Sequence, residues 1–182
     1  GVIEQVTESD DEAELTARKK EVLGGLKEVL SSLAQNRLDE GLRIGEVLFD
    51  QLDAIIKLCQ QAEKIAALQP ENIREKLNQQ IAELLEAVPS LPEERLAQEA
   101  AVLMTKADVR EELDRLQAHI EAAKDLMDGG GVIGRRLDFL CQEFNREANT
   151  LCSKAADVEL SKIGLELKAV IEQYREQVQN IE

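Results

Sequence analysis

The stretch Gly134-Arg135-Arg136-Leu137-Asp138-Phe139-Leu140-Cys141-Gln142-Glu143-Phe144-Asn145-Arg146-Glu147-Ala148-Asn149-Thr150-Leu151-Cys152-Ser153 decides the fold. Its apolar residues Leu137, Leu140, Cys141, Phe144, Ala148 and Leu151 recur every three or four positions. That spacing lines one face of an α-helix and cannot line one face of a strand. Polar residues fill the other faces: Glu143, Glu147, Thr150 and Lys154 form one row, Gln142, Arg146 and Asn149 the next. Both glutamates are expected off the apolar stripe, facing water.

The helical period continues on either side. Upstream, Val109, Leu113, Leu116, Ile120, Ala123 and Leu126 or Met127 make a stripe that Asp128-Gly129-Gly130-Gly131 stops. Asp108-Val109-Arg110-Glu111 opens it as an Asp form of the capping box. Downstream, Leu160, Ile163, Leu167, Val170, Tyr174, Val178 and Ile181 predict a last helix over about 158–181. Glu93 to Met104 predicts a shorter one.

Further upstream, Ser9-Asp10-Asp11-Glu12 reads as a helix start, with Leu15, Val22, Leu26, Val29, Leu30 and Leu33 at helical spacing. A second run follows through Leu38, Leu42, Val47, Leu48, Leu52, Ile55, Ile56, Cys59, Ala62 and Ile65. Gly41 and Gly45 allow a bend over 36–45, each costing about 1 kcal/mol relative to Ala. Gln69-Pro70-Glu71-Asn72 reads as a chain reversal, after which Ile73, Leu77, Ile81, Leu84, Leu85 and Val88 mark a returning helix. Pro89-Ser90-Leu91-Pro92 is the clearest boundary. The expected fold is therefore all-α: a long antiparallel helical hairpin over 9–88, then a smaller helical bundle over 93–182. Residues 1–8 read as a linker from a preceding, absent segment, since the chain lacks an initiator Met.

Composition excludes several functions. The chain has 182 residues, 43% of them apolar and 2% aromatic, and a net charge of −15. It is too apolar for disorder throughout and too poor in aromatics to stack single-stranded bases. One histidine, His119, rules out a histidine-rich metal site. Cys59, Cys141 and Cys152 form no C-x-x-C and read as small core residues of a reducing compartment. No apolar run of 18 residues predicts a membrane span, and no signal peptide is visible in the first residues.

Two features carry candidate chemistry. Gly129-Gly130-Gly131-Val132-Ile133-Gly134 matches G-x-G-x-x-G in letters, but a helix precedes it where a dinucleotide fold needs a strand. What remains is Gly134-Arg135-Arg136 at a helix start, where backbone N–H groups and two arginines suit a phosphate. The second feature is Glu143 and Glu147, an i, i+4 carboxylate pair able to share a divalent cation. If the helices flanking Gly131 run antiparallel, His119 comes level with Glu143, Arg115 with Glu147 and Glu112 with Thr150. The rows Glu112–Arg115–His119 and Glu143–Glu147 then face one groove.

The combination Glu111-Glu112-Leu113-Asp114-Arg115-Leu116 with His119, Gly134-Arg135-Arg136-Leu137-Asp138-Phe139, Gln142-Glu143-Phe144-Asn145-Arg146-Glu147, Asn149-Thr150, Ser153-Lys154 and the closing Arg175-Glu176-Gln177-Val178-Gln179-Asn180-Ile181-Glu182 closely resembles the carboxy-terminal domain of the bacterial YicC family. Arg37, Glu40 and Gly41 resemble, less specifically, that family's helical middle segment. Phe144 and Ala148 stand where many relatives have Met and Ile, both still apolar. The resemblance implies a cytoplasmic, stress-linked endoribonuclease that requires a divalent metal, magnesium or manganese. It also implies an amino-terminal domain absent from this chain and a homo-oligomer, hexameric at full length.

On that basis Glu143 and Glu147, with Glu112 or His119, are expected to hold the metal, and His119, Glu143 and Glu147 to serve catalysis. Arg115, Arg135, Arg136, Arg146 and Lys154 are expected to meet RNA phosphates. The net charge opposes this, because non-specific affinity for nucleic acid comes from Lys and Arg. A metal, or basic groups gathered on one face, would offset it locally. The rival expectation is a non-catalytic helical module whose polar rows are subunit contacts. No membrane partner is expected.

Overall fold

The computed structural model describes residues 12–87 and 93–181, and among them every regular element is an α-helix. These are α1 (Glu12–Ala87), α2 (Glu93–Lys106), α3 (Arg110–Gly129), α4 (Gly134–Lys154) and α5 (Val158–Val178). The all-α class is as the apolar period requires. The capping sequence at Ser9–Asp11, the linker at 1–8 and the boundary at 89–92 lie outside the described residues. No helix among the described residues is long and apolar enough to cross a membrane.

The reversal expected at Gln69-Pro70-Glu71-Asn72 is corrected: α1 is continuous for 76 residues, through Gly41, Gly45 and Pro70. A proline inside a helix forfeits one backbone hydrogen bond and strains the preceding turn, at about 3 kcal/mol. Good helix formers on both sides, Ala66-Ala67-Leu68 and Glu71, Arg74 and Glu75, favour carrying the helix on. The stripe also needs no second arm. Leu48, Leu52, Ile55, Cys59, Ala62 and Ala66 are buried in one core with residues of α3, α4 and α5.

The chain divides into two compact units, residues 1–43 and 44–182. In the first, the described residues belong to α1 and are exposed, including Leu15, Val22, Leu26, Val29, Leu30 and Leu33. The second holds the core. Along α3, Val109, Leu113, Leu116, Ile120 and Ala123 are buried, with Leu126 and Met127 both half-buried against them. All six apolar positions read from α4 are buried. On α5 the stripe is Leu160, Ile163, Leu167, Ile171, Tyr174 and Val178, so Ile171 takes the core place expected of Val170, which is only half-buried.

Local caps set the element ends. Asp157 precedes α5 with its side chain accepting from the N–H groups of Glu159 and Leu160, at 2.7 and 3.2 Å. The α3–α4 turn places Gly130 and Gly131 at φ of 64° and 86°, a region that disfavours any side chain. Rings link the three bundle helices: His119 meets Phe144 edge-on at 6.1 Å, and Phe144 meets Tyr174 at 6.4 Å. Burial pushes the Cys59 and Cys141 thiols up to about 12. Neither is a thiolate at neutral pH, which fits their reading as core residues.

Helices α4 and α5 approach closely at Gly164. A Cβ added to Gly164 would meet Cys152 Sγ at 2.5 Å and Leu151 Cδ2 at 3.1 Å. Gly164→Ala should destabilise the chain by about 1–3 kcal/mol from overpacking, despite Ala's better helix propensity. Combining it with Cys152→Ala should recover most of that loss. Urea denaturation of the three variants checks both.

Candidate functional site

Helices α3 and α4 run antiparallel, and the polar rows of the two face each other across their seam. Cross-helix pairs establish the register. Lys154 Nζ on α4 donates to Glu112 Oε1 on α3 at 2.8 Å and to the Asp108 carbonyl at 3.2 Å. Arg115 Nη1 lies 3.6 Å from Glu147 Oε1. One turn further, His119, Glu143 and Glu147 bring a ring nitrogen and two carboxylate oxygens within 4.8 Å of one another. Helical rise explains the ladder: residues three or four apart on each strand of the pair come level in opposite order.

The expectation that Glu147 faces water is corrected: it is only 2% exposed. Its position borders the helix face of Phe144 and Leu151, three residues before it and four after, a signal that the sequence reading passed over. A buried carboxylate keeps its charge only with partners. Glu147 has Arg115 and also Arg146, whose Nη2 and Nε sit 3.0 and 3.2 Å from its Oε1. The same Arg146 Nη2 is 3.0 Å from Glu143 Oε2. Glu143 is half-buried, between the enclosed Glu147 and open solvent.

His119 presents a different problem. Its Nε2 is enclosed and has no hydrogen-bond partner among the described residues. The edge-on Phe144 ring fixes the imidazole plane but offers no acceptor. An imidazole nitrogen within 4.8 Å of two carboxylate oxygens is a donor set of a kind that suits several divalent metals.

Glu112 is not part of that group. It is buried, its Oε1 is taken by Lys154, and its Oε2 has no partner among the described residues. Lys154 is thereby anchored with its ammonium at the rim of the seam. Arg135 and Arg136 are exposed at the start of α4. They lie about 10–12 Å along the helix axis from Glu143, by helical rise, and are not drawn into the cluster. Sequence reasoning missed the contact of Arg115 with Glu111 and the 3.4 Å pairing of Arg175 with Asp138. The i, i+4 spacing signals the first; the second joins helices distant in sequence and leaves no local trace.

At the α3 start the capping box is only half formed. Asp108 Oδ1 accepts from the Arg110 backbone N–H at 3.1 Å, but Glu111 turns to Arg115 instead of reaching back. The Arg110 side chain, bonded to both Asp108 oxygens, is the main influence holding the Asp108 carboxyl down to about 2, followed by the Arg110 backbone N–H.

Similarity to known proteins covers this seam. The family described as "Endoribonuclease YicC-like, C-terminal" matches residues 62–182. A protein of Clostridioides difficile (strain 630), named "Probable endoribonuclease YicC", is 38% identical over 157 residues, 86% of this chain and 54% of its own. One of the same name from Haemophilus influenzae (strain ATCC 51907 / DSM 11121 / KW20 / Rd) is 34% identical over 171 residues, 94% of this chain and 58% of its own. The chain thus spans little more than half the length of these relatives.

Two measurements test the ion pairs. Lys154→Met leaves the Glu112 carboxylate buried without a counter-charge and should cost about 3 kcal/mol in urea denaturation. Adding Glu112→Leu should return most of it. For Asp108, a carboxyl depressed in the folded state stabilises the fold above its ordinary value of 3.8, and that contribution is lost as pH falls towards about 2. Asp108→Asn should lower stability near neutral pH and flatten the acid limb in that window, measured by thermal melts across pH.

Proposed function

Because the chain belongs to the YicC-like endoribonuclease family, we propose that its α3–α4 seam holds a phosphodiester of RNA for cleavage, aided by a divalent cation, magnesium or manganese, on His119, Glu143 and Glu147. One observation carries this reading: the three donor groups lie within 4.8 Å of one another, with His119 Nε2 enclosed and without a hydrogen-bond partner among the described residues. Bound there, a divalent cation would polarise a phosphoryl oxygen and lower the pKa of a water molecule.

The chain's own residues do the rest. Phe144 and the helix hold the His119 ring in place. Glu143, nearer to solvent than Glu147, is placed to accept a proton from an incoming nucleophile. Arg115 and Arg146 stand at the cluster and offset charge that builds on the phosphate, and Lys154, held by Glu112 further along the seam, meets an adjoining phosphate. Glu112 acts through Lys154, fixing where its ammonium stands. Arg135 and Arg136 meet a more distant phosphate of the same strand. The protein is taken as cytoplasmic and homo-oligomeric, hexameric at full length, and the exposed leucines and valines of 15–33 offer apolar surface for assembly.

A second reading has its own observation: salt bridges across α3 and α4 fix one helix on the other whether or not any reaction occurs. The variants Glu143→Gln and His119→Gln separate the two. Glu147→Gln does not, because a buried, doubly paired carboxylate is also a folding element. In the natural polypeptide, either variant should lose RNA cleavage by orders of magnitude across a magnesium and manganese titration, with melting temperature and oligomer size unchanged. Full cleavage by both variants overturns the catalytic reading. Loss of assembly in either transfers these residues to subunit contact.

A further inference from the structure

Building on the cation reading above, we propose that Arg146 is an exchange residue: its guanidinium holds the two cation-ligating carboxylates in the cation-free seam and leaves them to grip an RNA phosphate when a cation enters. Of the two arginines at the cluster, only Arg146 bridges the pair that a cation must bridge. Its Nη2 is 3.0 Å from Glu143 Oε2 and 3.0 Å from Glu147 Oε1. Arg115 reaches Glu147 alone, at 3.6 Å, and is committed to Glu111 on its own helix.

A guanidinium and a divalent cation repel each other and compete for the same oxygen lone pairs. A cation that takes Glu143 Oε2 and Glu147 Oε1 meets Arg146 Nη2 at those same oxygens, so there one of them must yield. Arg146 is able to: its side chain is 58% exposed, and its ion-pair partners lie on the same helix. Swinging outward breaks ion pairs within α4 and none across to α3 among the described residues. Arg115 remains beside Glu147, so the register of α3 on α4 survives the exchange. The released guanidinium stays within side-chain reach of the cluster, with a planar donor fork that fits phosphate bidentately.

The consequence is coupling. A phosphate that attracts Arg146 outward vacates the carboxylates for the cation, and a cation that occupies them frees Arg146 for phosphate. Each ligand then strengthens the other's binding by the same factor. Arg146 thereby makes the seam respond to cation and phosphodiester together, rather than to either alone.

The test measures binding, not turnover. Manganese is titrated into the natural polypeptide by electron paramagnetic resonance, with and without a non-cleavable 2′-O-methyl oligoribonucleotide. In the unaltered protein the oligonucleotide should tighten manganese binding about tenfold, within the usual range for coupled sites. In Arg146→Ala, manganese alone should bind about tenfold tighter than in the unaltered protein, and the oligonucleotide should no longer change it. Arg146→Lys, which keeps charge but lacks the planar fork, should show weakened coupling. Manganese binding that is unchanged or weaker in Arg146→Ala, while the unaltered protein binds and His119→Gln does not, overturns the exchange and leaves the cation reading standing. No manganese binding by the unaltered protein sinks the cation reading and the exchange with it.

Discussion

A carboxylate that is 2% exposed must be given counter-charge or give up its own, and Glu147 is such a group. Its counter-charges come from two directions: Arg115 on the facing helix and Arg146 on its own. The cross-helix contact fixes how far α4 may slide along α3. A shift of one residue would carry Glu147 about 100° around its helix, towards either the core or solvent. With that register set, His119 comes to Glu143, Lys154 comes to Glu112, and the Phe144 ring stands against both His119 and Tyr174. The polar ladder and the apolar column below it are thus one constraint seen from two sides.

How much of this was legible in the sequence depends on the range of the forces involved. Helix α4 was readable nearly in full, since Leu137, Leu140, Cys141, Phe144, Ala148 and Leu151 all take the face that their spacing assigns. The level matching of Arg115 with Glu147 followed from counting outward from the glycine turn, and the structure places them 3.6 Å apart. Pro70 was misleading because turn propensity is local, whereas the choice between turning and continuing depends on where the stripe from Leu48 to Ala66 finds its partners. Those partners lie on helices more than forty residues further on. Glu112 was assigned to the metal by its row, and only the three-dimensional position of Lys154 shows that its carboxylate is already engaged.

The cluster itself sits between two demands. A site made only of carboxylates and a histidine would be costly to bury, and a site fully neutralised by arginines would have no affinity left for a cation. Here the enclosed Glu147 keeps Arg115 as a standing partner, while the more open Glu143 is paired through the exposed Arg146. Burial therefore grades the cluster. The carboxylate that fixes the register is held from the facing helix, and the less enclosed one is held by a guanidinium that is itself exposed.

This grading bears on the objection raised by the net charge of −15. That total is a sum over the whole chain, and at physiological ionic strength a charge more than about 8 Å away is largely screened at an exposed surface. An anion at the seam responds mainly to what stands beside it: Arg115 and Arg146, against Glu111, Glu143 and Glu147. With the carboxylates covered by a cation, the same few residues become net basic without any change elsewhere on the protein. Long-range attraction of a polyanion would remain weak, so encounter would be slow while local binding stays possible. If the seam is the RNA site proposed above, this organisation would favour a strand already held near it over strands captured from bulk solution.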